Sequence, residues 1–440
     1  MPFMKLSSVS VLIPLVVFLP ASVAAQSVVP DPITRPRTVT RAAGSTSKPY
    51  QTQATQEQVP SNNTVGTVSP AANTSRQVNE DETASLPSPE EQVASRRLTP
   101  SRIHARITEA ERLLKSRAVP IAITAPPLDY VTVAALLPES SQIHLIRIAK
   151  QDFLTKGSVL SLTTSLGLPV EVHVLRANGV NTAVTIFDNQ NHTLAPLVVE
   201  FPIERLGRFR EMAYYTSAHP ALLSSDLTKT GEAYVNSMVD LAARRVRDRG
   251  VPIAQNIVEV AKHLCIVEHV DHDRFRNENR IALFDEIYSL YALNELDTYR
   301  YSVSSAGAGG MVQMIPWAYQ LERQRHPAVG LNPDFVAGMR NHGNALQAML
   351  LYMQDTWNDL AANQDIQSAL SAKQATTTEL LAAAYNSNAA KLPGYIRRAG
   401  SGWRALIPRE TQIYLQIYQS LDTLTRAKVN VARQTENRGR

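Results

Sequence analysis

"VPIAQNIVEVAKHLCIVEH", residues 251–269, decides how the second half of the chain is read. Ile257, Val260, Ala261, Leu264 and Cys265 recur at spacings of three and four, so the stretch predicts a helix that starts near Ala254 and carries one apolar stripe. The next position on that stripe, eleven residues after Ile257, is Glu268. A carboxyl buried among apolar groups favours its protonated form, which a general acid needs at neutral pH. The plainer reading is a structural glutamate paired with Arg274 or with a neighbouring histidine.

Working outward, helical spacing continues from about Leu227 to residue 425 in "GEAYVNSMVDLAARRVRDRG", "NRIALFDEIYSLYALNEL", "NALQAMLLYMQDTWNDL", "IQSALSA", "TTELLAAAYN" and "RETQIYLQIYQSLDTL". Gly250 and Pro252 mark a stop and a restart. No fixed period links these segments, which disfavours a solenoid. Between Leu128 and Phe209 the pattern changes. "IHLIRIAK", "SVLSLTTS", "VEVHVLRA", "TAVTIFD" and "APLVVEFPI" alternate with period two between Gly, Asn and Asp breaks, predicting a small antiparallel sandwich or barrel. With a flanking helix at "RIHARITEAERLLKS", this unit is placed at 101–226. The fold class expected is therefore α+β and multidomain: a small antiparallel β domain, then a mainly α domain over 227–425, then a flexible tail at 426–440.

Residues 26–100 are rich in Ser, Thr, Pro, Gln and Asn and poor in large apolar side chains, so they predict a disordered tether. Ahead of it, Lys5, an apolar run from Val9 to Leu19 and small residues ending near Ala25 predict a secretory signal over 1–25, with a retained anchor as the alternative. Export places the chain in the periplasm or cell envelope. The single cysteine, Cys265, excludes an intrachain disulfide. A net charge of +5 mildly favours anionic surfaces, but no basic helix or aromatic platform points to nucleic acid.

Two further stretches carry candidate chemistry. In "SVSSAGAGGMVQMIPWAY", residues 302–319, the small residues at 306–310 would let backbone form a flat groove wall, and Gln313 offers donor and acceptor together, as sugars require. An ordinary Gly-rich connection between helices is the simpler account. "LLAAAYNSN", residues 380–388, delivers Tyr385 and Asn386 at the end of an alanine-lined helix, where a buried Tyr and a helix terminator would look the same.

Taken in order, an apolar helix ending in Glu268, "SSAGAGGMVQMIP" at 304–316, "AAAYNSN" at 382–388 and "IPRETQIYLQIY" at 407–418 resemble the motif series of the lytic transglycosylases and goose-type lysozymes. The resemblance covers roughly 227–425 and implies a lysozyme-like fold. It also implies cleavage of the β-1,4 bond between N-acetylmuramic acid and N-acetylglucosamine in peptidoglycan glycan strands, with a 1,6-anhydro product and no cofactor or metal. Glu268 would be the single acid and base, Tyr385 would orient the acid or the sugar, and Ser304, Gly307, Gln313 and Asn386 would line the groove. Hydrolysis of the same bond remains open.

The chain departs from the family pattern in two places. Glu268 lies 36 residues before Ser304, whereas the usual spacing of about nine lands on Glu295, and no glycine follows Asn386. Glu295 is thus the rival acid, and Phe284, Tyr288 and Tyr291 share its helical face. A non-catalytic wall-binding or envelope scaffold of lysozyme-like fold is the alternative function, with an envelope partner held through the β domain or the tether. "HLCIVEHVDHD" gathers His263, His269, His272, Asp271 and Asp273, but the spacing matches neither HExxH nor HxxEH, so hydrogen-bonding roles are expected of these histidines.

Overall fold

The computed structural model describes residues 99–117, 128–205, 207–304 and 306–438; the expected signal at 1–25 and nearly all of the 26–100 tether lie outside the described residues. Helix α1, Pro100–Lys115, starts behind Thr99, whose hydroxyl accepts from the Arg102 amide at 3.4 Å. Its Ile103, Ile107, Ala110 and Leu114 are buried. Seven strands follow: β1 Tyr130–Leu137, β2 Gln142–Ala149, β3 Val159–Thr163, β4 Pro169–Arg176, β5 Ala183–Asp188, β6 Thr193–Arg205 and β7 Arg208–Tyr215. A single-turn helix, α2 (Lys150–Phe153), sits between β2 and β3.

Every pairing is antiparallel, in the order β2-β1-β6-β5-β4-β3, with β7 also on β6. The 13-residue β6 pairs β5 at its start, β1 through its middle and β7 along its second half. Register shifts at Ala134/Ala135, Val174/Arg176 and Ile203/Glu204 curl the sheet, as bulges do. The five expected strands are present. Two more, β1 and β7, fall outside that set. In β1, Val131, Val133 and Ala135 face the interior of the curl while Ala134 and Leu136 pack with α1, so the strand is covered on both faces and loses its alternation.

The helical half contains α3 Ser225–Asp248, α4 Gln255–Val267, α5 His272–Asn277, α6 Arg280–Asn294, α7 Pro316–Arg325, α8 Phe335–Arg340, α9 His342–Ala361, α10 Gln364–Ser371, α11 Thr377–Asn386, α12 Leu392–Ala399 and α13 Arg409–Arg438. The chain is thus α+β. The break between α3 and α4 falls at Gly250, with φ +88°. Helix α3 crosses α6 so closely that a Cβ at Gly231 would lie 1.8 Å from the Tyr288 carbonyl oxygen, so that crossing depends on glycine. The segment expected as a flexible tail instead continues α13 as far as Arg438. Residues 426–438 hold no Gly or Pro, and Arg, Ala, Lys, Gln and Glu all favour a helix. Among the described residues no helix is long and apolar enough to cross a membrane.

Sheet and helices are joined by specific contacts. Tyr215 of β7 lies in the helical core. The Asn294 side chain accepts from the Thr216 amide at 2.9 Å and donates to the Thr216 carbonyl at 2.8 Å. Arg340 pairs with Glu211 at 2.7 Å. Glu286 of α6 takes Arg274 at 2.9 Å and also Arg176 of β4. Burial pushes the Glu286 carboxyl up, but the Arg274 hydrogen bonds and the Arg176 charge outweigh it and hold the group below its usual range.

Candidate active site

Helix α4 keeps its expected stripe: Ile257, Val260, Ala261, Leu264 and Cys265 are all buried. Glu268 is the residue just past the helix and still has right-handed helical geometry, φ −61° and ψ −18°, with its amide donating to the Leu264 carbonyl at 3.0 Å. The stripe therefore extends one position beyond the helix and carries the carboxyl inward, where it is 7% exposed. The Tyr414 hydroxyl, from the first turns of α13, donates to Glu268 Oε1 at 2.8 Å. Arg274, the cation considered as a partner for Glu268, turns instead to Glu278 and Glu286.

His269 takes the chain to the small-residue loop. Its Nε2 donates to the Met311 carbonyl at 2.9 Å, and its ring stacks on Tyr299 with centroids 3.3 Å apart. The loop folds on itself through bridges from Val303 to Gly309 and from Gly309 to Met314. Ser304 closes its turn: its amide donates to the Ala308 carbonyl at 2.8 Å, and its hydroxyl accepts from the Ala308 amide at 3.0 Å. Gln313 has φ +46° and donates from Nε2 to Ser302 Oγ at 3.1 Å and to the Gly310 carbonyl at 2.8 Å. Both protons of its amide nitrogen are thus committed within the loop.

The small residues serve the fold more than the sequence suggested. A Cβ on Gly310, at φ +67°, would stand 2.3 Å from the Met339 carbonyl oxygen, and one on Gly309 would be 3.4 Å from Met339 Cβ. Those two glycines let the loop lie against α8. Gly307, at φ +76°, would meet nothing nearer than the Pro316 ring at 4.0 Å, so its need for glycine is conformational.

Tyr385 and Asn386 are buried at the end of α11, a helix begun by a capping box between Thr376 and Glu379. The Tyr385 hydroxyl donates to the Val312 carbonyl at 2.7 Å. Consecutive carbonyls, Met311 and Val312, are therefore held by His269 and Tyr385, and the loop is fixed next to the residue that follows Glu268. Just beyond Asn386 a surface hollow is lined by Ala390, Lys391, Gly394, Tyr395, Arg397 and Arg398.

Glu295 lies elsewhere. Phe284, Tyr288 and Tyr291 are buried as their shared face requires, but α6 ends at Asn294 and Glu295 takes φ +45°, which swings its exposed side chain out of the stripe. The histidine-rich segment does not converge either. Asp271 caps α5 by accepting from the Asp273 and Arg274 amides at 2.8 and 2.9 Å, Asp273 pairs with Arg276, and His263 lies 4.0 Å from Asp422. Burial lowers the His263 pKa, with Asp422 opposing it. Tyr414 was not among the site residues expected from sequence, and His269 was expected only to hydrogen-bond, with no partner named. Both lie inside the stretches that carry the resemblance, but their partners are 146 and 42 residues away, which no local pattern reveals.

In comparisons with known proteins, no family model, no curated protein and no solved structure matches the chain.

Proposed function

We propose that the chain is an exported lytic transglycosylase whose helical part is lysozyme-like and whose substrate is the glycan strand of peptidoglycan in the periplasm or envelope. The observation that carries this reading is the placement of Glu268: a buried carboxyl, hydrogen-bonded by Tyr414 and adjoining a loop that His269 and Tyr385 clamp. These contacts knit together the four stretches on which the resemblance rests, although they are far apart in sequence.

In the proposed reaction the Glu268 carboxyl gives a proton to the oxygen that links N-acetylmuramic acid C1 to the next sugar, and that bond breaks. The resulting carboxylate then takes the proton of the muramic acid 6-hydroxyl as O6 closes on C1, so the acid is regenerated and no water is consumed. One carboxyl suffices because the internal hydroxyl replaces the water that a second carboxylate would activate. Tyr414 would orient the carboxyl, while Tyr385 holds the loop backbone through the Val312 carbonyl. The hollow with Lys391, Arg398 and an aromatic face at Tyr395 suits the carboxylates and sugar faces of a muropeptide.

Digestion of purified murein, with products separated and weighed by mass spectrometry, tests this. Products ending in 1,6-anhydro-muramic acid support it, reducing ends would indicate hydrolysis at the same site, and intact murein would reject an enzymatic role. The second reading, a non-catalytic envelope protein, is favoured by one observation: the commitment of the Gln313 and Tyr385 donors within the protein. It predicts sedimentation with murein sacculi but no cleavage.

A further inference from the structure

The strongest unassigned cluster lies where α7 meets α9. Glu322 sits on the last turn of α7, and His326 follows one turn later, with its amide on the Glu322 carbonyl at 2.9 Å. Their side chains therefore share a face, and Asp355 of α9 stands opposite. His326 Nε2 lies 3.1 Å from Asp355 Oδ2 and 3.7 Å from Glu322 Oε2. One ligand atom from each residue falls within 4.8 Å of the others, the only such grouping among the described residues.

Glu322 is the anomaly. Its side chain is 0% exposed, and neither carboxylate oxygen has a hydrogen-bond partner. A carboxylate shut away from water with no hydrogen bond is strongly disfavoured, so such a group calls for a proton or a cation. A proton would satisfy one oxygen of one residue. A divalent ion would engage the carboxylate, the imidazole lone pair and the aspartate together.

We propose that Glu322, His326 and Asp355 form a zinc-class metal site that staples α7 to α9. Tetrahedral bonds of about 2.0–2.1 Å place neighbouring ligand atoms about 3.3 Å apart. The observed 3.1 and 3.7 Å bracket that spacing. An imidazole between two carboxylates favours zinc over calcium or magnesium, which take all-oxygen sets. His326 and Asp355 keep 16% and 19% side-chain exposure, which leaves an entry path and room for water as the fourth ligand. Arg325, now 3.3 Å from Asp355 Oδ2, is 45% exposed and can swing away as the ion enters. Since α7 leaves directly from the small-residue loop at Pro316, the ion would anchor the far end of the helix that follows it. Zinc binding here is ligand coordination alone, so no oxidant or further reactant is involved.

The test uses the full chain, stripped with EDTA, dialysed and titrated with zinc alone by calorimetry, with cobalt(II) as a spectroscopic probe. One equivalent should bind, with a cobalt absorption of four-coordinate type and a zinc-dependent rise in melting temperature. Glu322→Gln and His326→Gln should each weaken binding by more than the roughly 10–100-fold that loss of an outer-shell partner costs. In EDTA, Glu322→Gln should melt no lower than the unaltered protein, because an amide buries no charge at that position, and it should lose the zinc-dependent rise. No stoichiometric binding by the unaltered protein would overturn the site. Unchanged binding by both variants would overturn it equally, by placing the ion elsewhere. Neither readout depends on murein cleavage, so the proposal stands or falls apart from the function proposed above.

Discussion

Two glutamates follow directly on apolar helices, Glu268 after α4 and Glu295 after α6, and each extends a buried stripe on paper. One is drawn into the core and the other is thrown to the surface. The difference lies in a single backbone conformation. Glu268 stays in the right-handed helical region, so its side chain lands where the helix would have put it, whereas Glu295 adopts φ +45° and leaves that region. Helical periodicity thus forecasts the placement of a residue past a helix end only while the backbone continues to turn as a helix.

The largest effect that could break this contrast is catalytic. Glu268→Gln keeps the shape and can still accept from Tyr414, yet it should lower anhydro-muropeptide release by roughly 10²–10⁴-fold, the usual worth of a general acid. Glu295→Gln should leave the rate unchanged. Activity lost only in the second variant would reverse the assignment.

Next in size is the loop beside Glu268. Gly310→Ala forces a Cβ to within 2.3 Å of the Met339 carbonyl and should cost about 3 kcal/mol in chemical denaturation. Gly307→Ala, strained only by its positive φ, should cost about 1–2 kcal/mol. Equal losses would mean that contact with α8 does not set the loop.

Tyr414→Phe removes one hydrogen bond to a buried carboxyl, worth about 1.5–3 kcal/mol. It should slow murein cleavage roughly 10–100-fold while substrate affinity holds steady. A rise in KM at constant kcat would instead place Tyr414 in substrate binding. The smallest effect concerns the other helix end: Glu295→Gly relieves a positive φ and should raise stability by about 1 kcal/mol, read from the denaturation midpoint. The same change at Glu268 should destabilise.

The legible parts were those governed by local spacing. The α4 stripe, its extension to Glu268 and the alternation of Val170, Val172 and Val174 in β4 follow from helical and strand periods alone. Strand β1 was missed because burial on both faces erases the alternation by which strands are found. The glycines of the loop were visible, but their reason, the backbone of α8 at Met339, is a tertiary fact. Likewise a tyrosine 146 residues from Glu268 becomes its hydrogen-bond donor only through the packing of α13 on α4. Glu322, His326 and Asp355 combine both cases: the first two keep i, i+4 helical spacing, while the third comes from a neighbouring helix.

The bracketing of Glu286 by arginines from a strand and from a helix bears on how the molecule comes apart. Severing the chain near residue 226 would take Arg176 away and leave an acid shielded from water with half its counter-charge, so the helices on their own would start from a deficit. Heating the intact protein should accordingly produce one cooperative heat-absorption peak, and the change from strands to helices would mark a shift in architecture without a fault line.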